Sequence, residues 1–225
     1  MFLTFGNVRL INADCRLFIE TLPNGAVIVS DPPYGKNMVI NARSPRNAGL
    51  AWDKKFGTDF KPLIKGDEKP FDPSHLLDFR KVALFGANHM DGLPRGGKWI
   101  VWDKRRDSKP DDHSDCEMVW TNVEGADRIH RQKWRGIVRE GEENVSRSRK
   151  LHQFQKPVAL IDFIFEQIRI QPEETIVDPY MGSGSTGVCA IRRGNPFIGI
   201  ESDTATFQVA CKRLLEEQRT ADAAR

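Results

Sequence analysis

Cysteine is scarce in this chain and never paired. Cys15, Cys116, Cys189 and Cys211 lie far apart and form no Cys-x-x-Cys. That disfavours a disulfide framework and a zinc site, and a reducing, cytoplasmic setting is expected. His113 stands close to Cys116, but no second pair completes the four ligands of a closed zinc site, so no metal is expected. No apolar run approaches the roughly 20 residues of a membrane span. The opening Met1-Phe2-Leu3-Thr4-Phe5-Gly6 lacks a charged leader before an apolar core, so no signal peptide is expected. Internal repeats are absent.

A strong net charge is missing too. The total is +3, so the chain as a whole is no electrostatic binder of nucleic acid. The distribution is more telling. Residues 36 to 69 carry eight Lys or Arg against four acids, and residues 128 to 150 carry eight against three. Two basic stretches flanking a balanced core suit contact with phosphates, although charge runs of this kind also serve simply as solvated loops.

What is present is the content of an ordinary globular protein: 225 residues, 39% hydrophobic and 29% charged. That suffices for one α/β domain with a real core and is too little for two large ones. Short apolar runs read as strands: 8–11, 27–30, 81–85, 98–102, 117–121, 175–177 and 197–200. Helices are expected over 14–22, 158–168, 188–193 and 204–217, with Pro157 at a first turn where proline is tolerated. Residues 36 to 75 hold many Pro, Gly, Lys and Asn and little periodicity, which reads as a mobile segment over a site. Alternating helices and buried parallel-type strands give a doubly wound, mostly parallel α/β sheet.

Gly182-Ser183-Gly184-Ser185-Thr186-Gly187 is a G-x-G-x-x-G sequence between a strand and a helix, and Glu201 lies at the end of the next strand. Glycines there let backbone approach a nucleotide, and an acid at that distance can bind ribose hydroxyls. This fits NAD as well as S-adenosylmethionine. Two observations separate them. Only 24 residues follow Glu201, too few for the remaining strands of a dinucleotide fold, so N-terminal strands must complete the sheet and the fold is circularly permuted. In addition, Asp178-Pro179-Tyr180 ends the strand before the glycines. An acid at that point would repel a pyrophosphate and suits the cationic amino and sulfonium groups of S-adenosylmethionine.

Asp31-Pro32-Pro33-Tyr34 closes the apolar run Ala26-Val27-Ile28-Val29-Ser30. Such a segment can serve as a rigid strand-ending turn and nothing more. The functional alternative is a grip on an amino-bearing ring. An exocyclic amino group on adenine or cytosine is a weak nucleophile, because its lone pair is delocalised into the ring. Asp31 can accept from one of its N–H bonds and the carbonyl of Pro32 from the other, freeing the lone pair. Pro32 and Pro33 fix φ and remove donors, so the carbonyls are aimed. Tyr34 can stack on the base. A base inside a duplex cannot reach such a site and must flip out.

These segments are similar to those of the DNA amino-methyltransferases, the N6-adenine and N4-cytosine family, in the order where the catalytic motif precedes the cofactor motif. The resemblance implies the S-adenosylmethionine-dependent methyltransferase fold in circularly permuted form. Ile11-Asn12-Ala13-Asp14-Cys15 resembles the family's Gly-Asp-Cys segment, which implies that Asp14 contacts the adenine of the cofactor and that Cys15 adjoins it; Ala13 departs from the usual glycine. His152-Gln153-Phe154-Gln155-Lys156-Pro157 resembles a segment lining the methionine end of the cofactor site, through Gln155 and Lys156; Gln153 and Phe154 depart from it. Residues 65–67, 85–88 and 99–104 are similar to stretches in small phage-borne members. Asp31 at the head of the catalytic motif favours adenine, though the family uses Asp with both bases.

The leading expectation is therefore a single-domain, S-adenosylmethionine-dependent methyltransferase acting on the 6-amino group of adenine in double-stranded DNA. Alternatives are cytosine N4, the same transfer on RNA or a protein glutamine, and a catalytically silent DNA-binding module. Target recognition is expected from residues 105 to 150, with Arg131, Lys133, Arg139 and Arg147 on phosphates and Trp134-Arg135 stacking or inserting. Related enzymes imply a homodimer, and any restriction endonuclease would be a separate protein.

Overall fold

The computed structural model describes residues 1–35, 69–106, 114–135, 138–140 and 155–224, with the backbone alone for 135, 138 and 139. Nine strands form one sheet: β1 (Phe2–Phe5), β2 (Val8–Asn12), β3 (Val27–Ser30), β4 (Lys81–Phe85), β5 (Lys98–Asp103), β6 (Cys116–Thr121), β7 (Arg128–Arg131), β10 (Ile176–Asp178) and β11 (Phe197–Glu201). Their order is β1-β2-β11-β10-β3-β4-β6-β5-β7, and β8 (Trp134–Arg135) with β9 (Val138–Arg139) makes a separate antiparallel hairpin. The central strands β2, β11, β10, β3 and β4 run parallel, and β6 is antiparallel to both β4 and β5.

This order confirms the permuted, mostly parallel sheet. The strand before the glycine loop, β10, sits at the centre. Its follower β11 lies on one side and the N-terminal strand β3 on the other. The order of strands reverses between β10 and β3, and open sheets of this type bind ligands outside the carboxyl ends at such a reversal.

The central strands are apolar on both faces, as a sheet covered on both sides requires. Val27 and Val29 point to one face, where they join Leu160, Ile164 and Phe165 of α2 (Val158–Gln167) and Phe207 and Leu214 of α4 (Thr204–Ala223). Ala26 and Ile28 point to the other, with Phe71 and with Leu76 of α1 (Ser74–Leu77). Phe165 and Phe207 are essentially inaccessible to solvent, and each such burial is worth roughly 1.5–3 kcal/mol. The helix after the glycine loop, α3 (Ser185–Arg193), packs between α2 and α4.

The helix expected over 14–22 is instead two 3-10 turns, Cys15–Leu17 and Ile19–Thr21. Asp14 accepts from the Arg16 amide at 3.0 Å, and Phe18, at φ −123°, breaks the helical path between the turns. β1, β7 and the β8–β9 hairpin were not expected. β1 (Phe2-Leu3-Thr4-Phe5) and β7 are four-residue strands at the two edges of the sheet, and β8–β9 is a two-plus-two hairpin, all shorter than a pattern can mark. The segment 36–68 lies outside the described residues, as do His113 and Arg147.

Candidate active site

Two strand ends meet at the reversal. Ser30, the last residue of β3, donates its hydroxyl to Asp178 Oδ1 of β10 at 2.6 Å. The same oxygen accepts the Tyr180 amide at 3.2 Å. Asp178 is 3% exposed. Burial pushes its carboxyl up to about 7, against the hydrogen bonds from Ser30, Thr186 and the Tyr180 amide. A buried acid with such a value is a poor anion by itself and a good receptor for a cation.

Asp31 follows directly. Tyr34 donates its hydroxyl to Oδ1, and Lys156 donates to Oδ2 at 2.5 Å. Burial pushes the Asp31 carboxyl up, and the Lys156 ammonium opposes that push. Burial would pull the Lys156 ammonium down, but the charges of Asp31 and Glu117 and the hydrogen bond to Asp31 outweigh it and hold it well above the ordinary lysine value. Glu117 lies 3.2 Å from Lys156 Nζ and 3.1 Å from Lys104 Nζ. Burial pushes its carboxyl up, but the two lysines win and lower it. The ring of Tyr34 rests on Gly86, which has φ +64°; a Cβ there would lie 2.1 Å from the ring. His89 adjoins the ring of Tyr34, its centroid 5.8 Å away.

The glycine loop is pinned from the next strand. The Gly182 amide donates to Glu201 Oε2 at 3.0 Å, and the Asp203 amide to Oε1 at 2.8 Å. The Ala13 amide donates to the Glu201 carbonyl at 3.1 Å, which sets Asp14 and Cys15 beside the end of β11. Tyr180 shares a hydrogen bond with Cys15, its hydroxyl lies 3.1 Å from His75 Nε2, and Phe71 packs edge-on against its ring. Burial raises the Cys15 thiol, so it is no ready nucleophile. Ser185 donates to the Lys156 carbonyl at 2.9 Å, and Arg213 donates to the Ser183 carbonyl at 3.0 Å. Gln155 is buried alongside. Thus Asp14, Cys15, Asp31, Gln155, Lys156, Asp178, Tyr180, the glycine loop and Glu201 gather at one end of the sheet.

Lys156, expected toward the cofactor, has its ammonium on Asp31. Ser30, Gly86, Lys104, Glu117, Phe71 and His75 were missed by sequence reasoning. Glu117 did leave a signal: it has the same parity on β6 as the buried Val119 and Thr121. A cavity of about 510 Å³ opens beside Ala87 and Asn88 and is lined by Met90, Arg95, Trp99 and Trp120. Among the described residues no group of three or more His, Cys, Asp or Glu could hold a metal, and no helix is long and apolar enough to cross a membrane.

The residues expected on DNA are more dispersed. Arg131 ends the edge strand β7, its side chain 60% exposed and its Nε 3.8 Å from Asp103. The Lys133 amide donates to Glu140 at 3.0 Å. Trp134 is half-buried and packs against the main core. Arg135 and Arg139 stand in the backbone of the β8–β9 hairpin.

The strand order, the glycine loop and the acid at the reversal define an α/β protein of the methyltransferase type. The chain belongs to the N6/N4 DNA methylase family, whose model matches residues 98–212. It is 32% identical to the type II methyltransferase M.HinfI of Haemophilus influenzae, over 92% of this chain and 68% of that one. It is 31% identical to the type II methyltransferase M2.LlaDCHI of Lactococcus lactis subsp. cremoris, over 51% of this chain. That match spans 40% of M2.LlaDCHI, and a similar one spans 43% of M2.DpnII of Streptococcus pneumoniae. Among solved structures, the M1.HpyAVI–SAM complex is similar at TM-score 0.52 and 24% identity, covering 92% of this chain and all of that one. The cytosine-N4-specific PvuII DNA methyltransferase is similar at TM-score 0.53 and 14% identity, covering 97% of this chain and 93% of that one. At these identities the structural likeness concerns the fold.

Proposed function

We propose that this chain transfers a methyl group from S-adenosylmethionine to the 6-amino group of adenine in double-stranded DNA, with the base flipped out. The observation that carries the reading is the placement of Asp31 and Asp178 on adjoining strand ends, tied through Ser30.

The acids at the strand ends suit the cofactor. Asp178 would receive its cationic amino group, Glu201 the ribose hydroxyls, and Asp14 the adenine edge; the glycine loop lies close enough for backbone contact. S-adenosylmethionine, when bound, supplies a methyl group on a sulfonium. The protein's task is to make the amino nitrogen nucleophilic and to aim it. Asp31 accepts one N–H once Tyr34 or Lys156 yields an oxygen, and the Pro32 carbonyl accepts the other. Both acceptors draw the nitrogen toward tetrahedral geometry and localise its lone pair. The nitrogen would take the cofactor's methyl group, and the S–C electron pair would stay behind on a neutral thioether. The methylated nitrogen then loses one proton toward Asp31. These are positioned electrostatic effects, not strong-base catalysis.

Adenine is preferred over cytosine because the acid Asp31 heads the Asp31–Tyr34 segment. DNA contact is assigned to the exposed Arg131, with Lys133, Arg135, Arg139 and Arg147 as further phosphate ligands and Trp134 buttressing the β8–β9 hairpin. A homodimer and a separate restriction endonuclease are the partners this family reading suggests.

The test is incubation with unmethylated DNA and labelled S-adenosylmethionine, followed by nucleoside mass spectrometry. N6-methyladenine is expected. N4-methylcytosine would keep the mechanism and move the base. No methylated nucleoside, with cofactor bound, would overturn DNA as the substrate.

A further inference from the structure

Asp31 is occupied before any substrate arrives. Tyr34 holds Oδ1 and Lys156 holds Oδ2 at 2.5 Å. If an amino group is to be accepted at Oδ2, the Lys156 ammonium must let go. Its side chain is only 12% exposed, and an ammonium stranded there without a counter-charge would be costly. A second seat is at hand. Glu117 Oε2 is buried and already pairs with Lys156 Nζ at 3.2 Å, more loosely than Asp31 Oδ2 does. Glu117 Oε1 is fixed by Lys104 at 3.1 Å. The Lys156 backbone is fixed by Ser185 at 2.9 Å, so rotation of the side chain suffices. A shift of about half an ångström would tighten the Glu117 contact to the ~2.8 Å of a charge-assisted hydrogen bond; freeing Asp31 Oδ2 takes a larger swing of the side chain, through which Glu117 remains the counter-charge.

We propose that Glu117 is a positioning residue for the methyl transfer: it receives the Lys156 ammonium when the target amino group takes Asp31 Oδ2. This rests on the transfer proposed above. Glu117 touches neither substrate nor cofactor and acts through Lys156. Asp31 is faced by Tyr34, Lys156, the Asp178 carboxyl on the adjoining strand and, through Lys156, Glu117; Lys104 faces Glu117 and His89 faces Tyr34.

The experiment is single-turnover methylation across pH with Glu117→Gln and Glu117→Asp, beside cofactor titration calorimetry. Glu117→Gln keeps the shape and removes the charge. It is expected to lower the transfer rate roughly tenfold with cofactor Kd unchanged, since Lys156 stays on Asp31. It is also expected to move the acid limb of the rate profile down by roughly one unit, because a like charge near Asp31 is gone. Glu117→Asp retains the wild-type limb. A wild-type rate and limb in Glu117→Gln overturns the inference, and so does a rate loss matched by a loss of cofactor affinity. If Glu117→Gln does not fold, Lys104→Met decides: it removes a positive charge and should move the limb up, and an unmoved limb overturns the inference. Absence of turnover by the unaltered chain would instead sink the parent reading.

Discussion

The Ser30 hydroxyl donates to Asp178 Oδ1 at 2.6 Å, joining the last residue of β3 to the last residue of β10. These residues are 148 positions apart in sequence. The bond crosses the point where strand order reverses, so it couples the acid assigned to the cofactor with the strand that carries Asp31. Ser30→Ala is predicted to leave the fold intact and weaken S-adenosylmethionine binding about 3- to 10-fold, the scale of one typical lost hydrogen bond. Titration calorimetry checks this; an unchanged Kd would remove Ser30 from the site.

Asp178 makes cofactor binding dependent on pH. Its folded value, about 7, lies above the ordinary aspartate value. The stability this group contributes is therefore fully present at low pH and is lost as pH rises through 7. Cation binding has the opposite sign, because it needs the carboxylate. Cofactor affinity is predicted to rise from pH 6 to 8 while this group's share of apo stability falls. Asp178→Asn should flatten both trends; calorimetry and thermal melts across that range would show it.

Asp31→Ala is predicted to lower methyl transfer by about a hundredfold or more, as expected when a positioned polar group is removed from a transition state. Cofactor Kd should stay within a few-fold of the parent. A mutant of near-normal rate would end the role given to Asp31.

Gly86→Ala tests the seat of Tyr34. A methyl group there would lie 2.1 Å from the ring, at a backbone φ of +64°. The left-handed conformation alone costs a non-glycine residue about 1–2 kcal/mol. Lower melting temperature and a rate loss comparable to that of Tyr34→Ala are predicted. Full activity in Gly86→Ala would mean that the ring has no need of this seat.

Charge reversal at Arg131 and Lys133 tests the recognition segment. DNA affinity should fall and the slope of log Kd against log salt should drop by roughly two, one per lost phosphate contact. Transfer at saturating DNA should persist. Equal affinity and slope would place DNA elsewhere on the molecule.

Much of this was legible in the residues themselves. The chain has two tyrosines, and each closes a strand-ending segment that opens with Asp-Pro: Asp31-Pro32-Pro33-Tyr34 and Asp178-Pro179-Tyr180. A buried strand, a proline that ends it and an acid at its tip are local features, fixed by steric and burial rules within a few residues. The N-terminal strands β2 and β3 flank the strands on either side of the Gly182–Gly187 loop, in the permuted order that the late glycines suggest. Edge strands β1 and β7 left a weaker trace: each is four residues long and pairs on one side only, so its run is too short to mark it.

What the sequence determined, then, is the two strand tips, their chemistry and the permuted order that makes them neighbours. Only the tertiary structure decided that Lys156 sits on Asp31, that Glu117 and Lys104 stand behind it, and that Gly86 lies beneath Tyr34. Those contacts join β3, β4, β5, β6 and the segment before α2. Side-chain distances across strands are set by sheet order and register, and these depend on the whole packed core and not on any local run of residues.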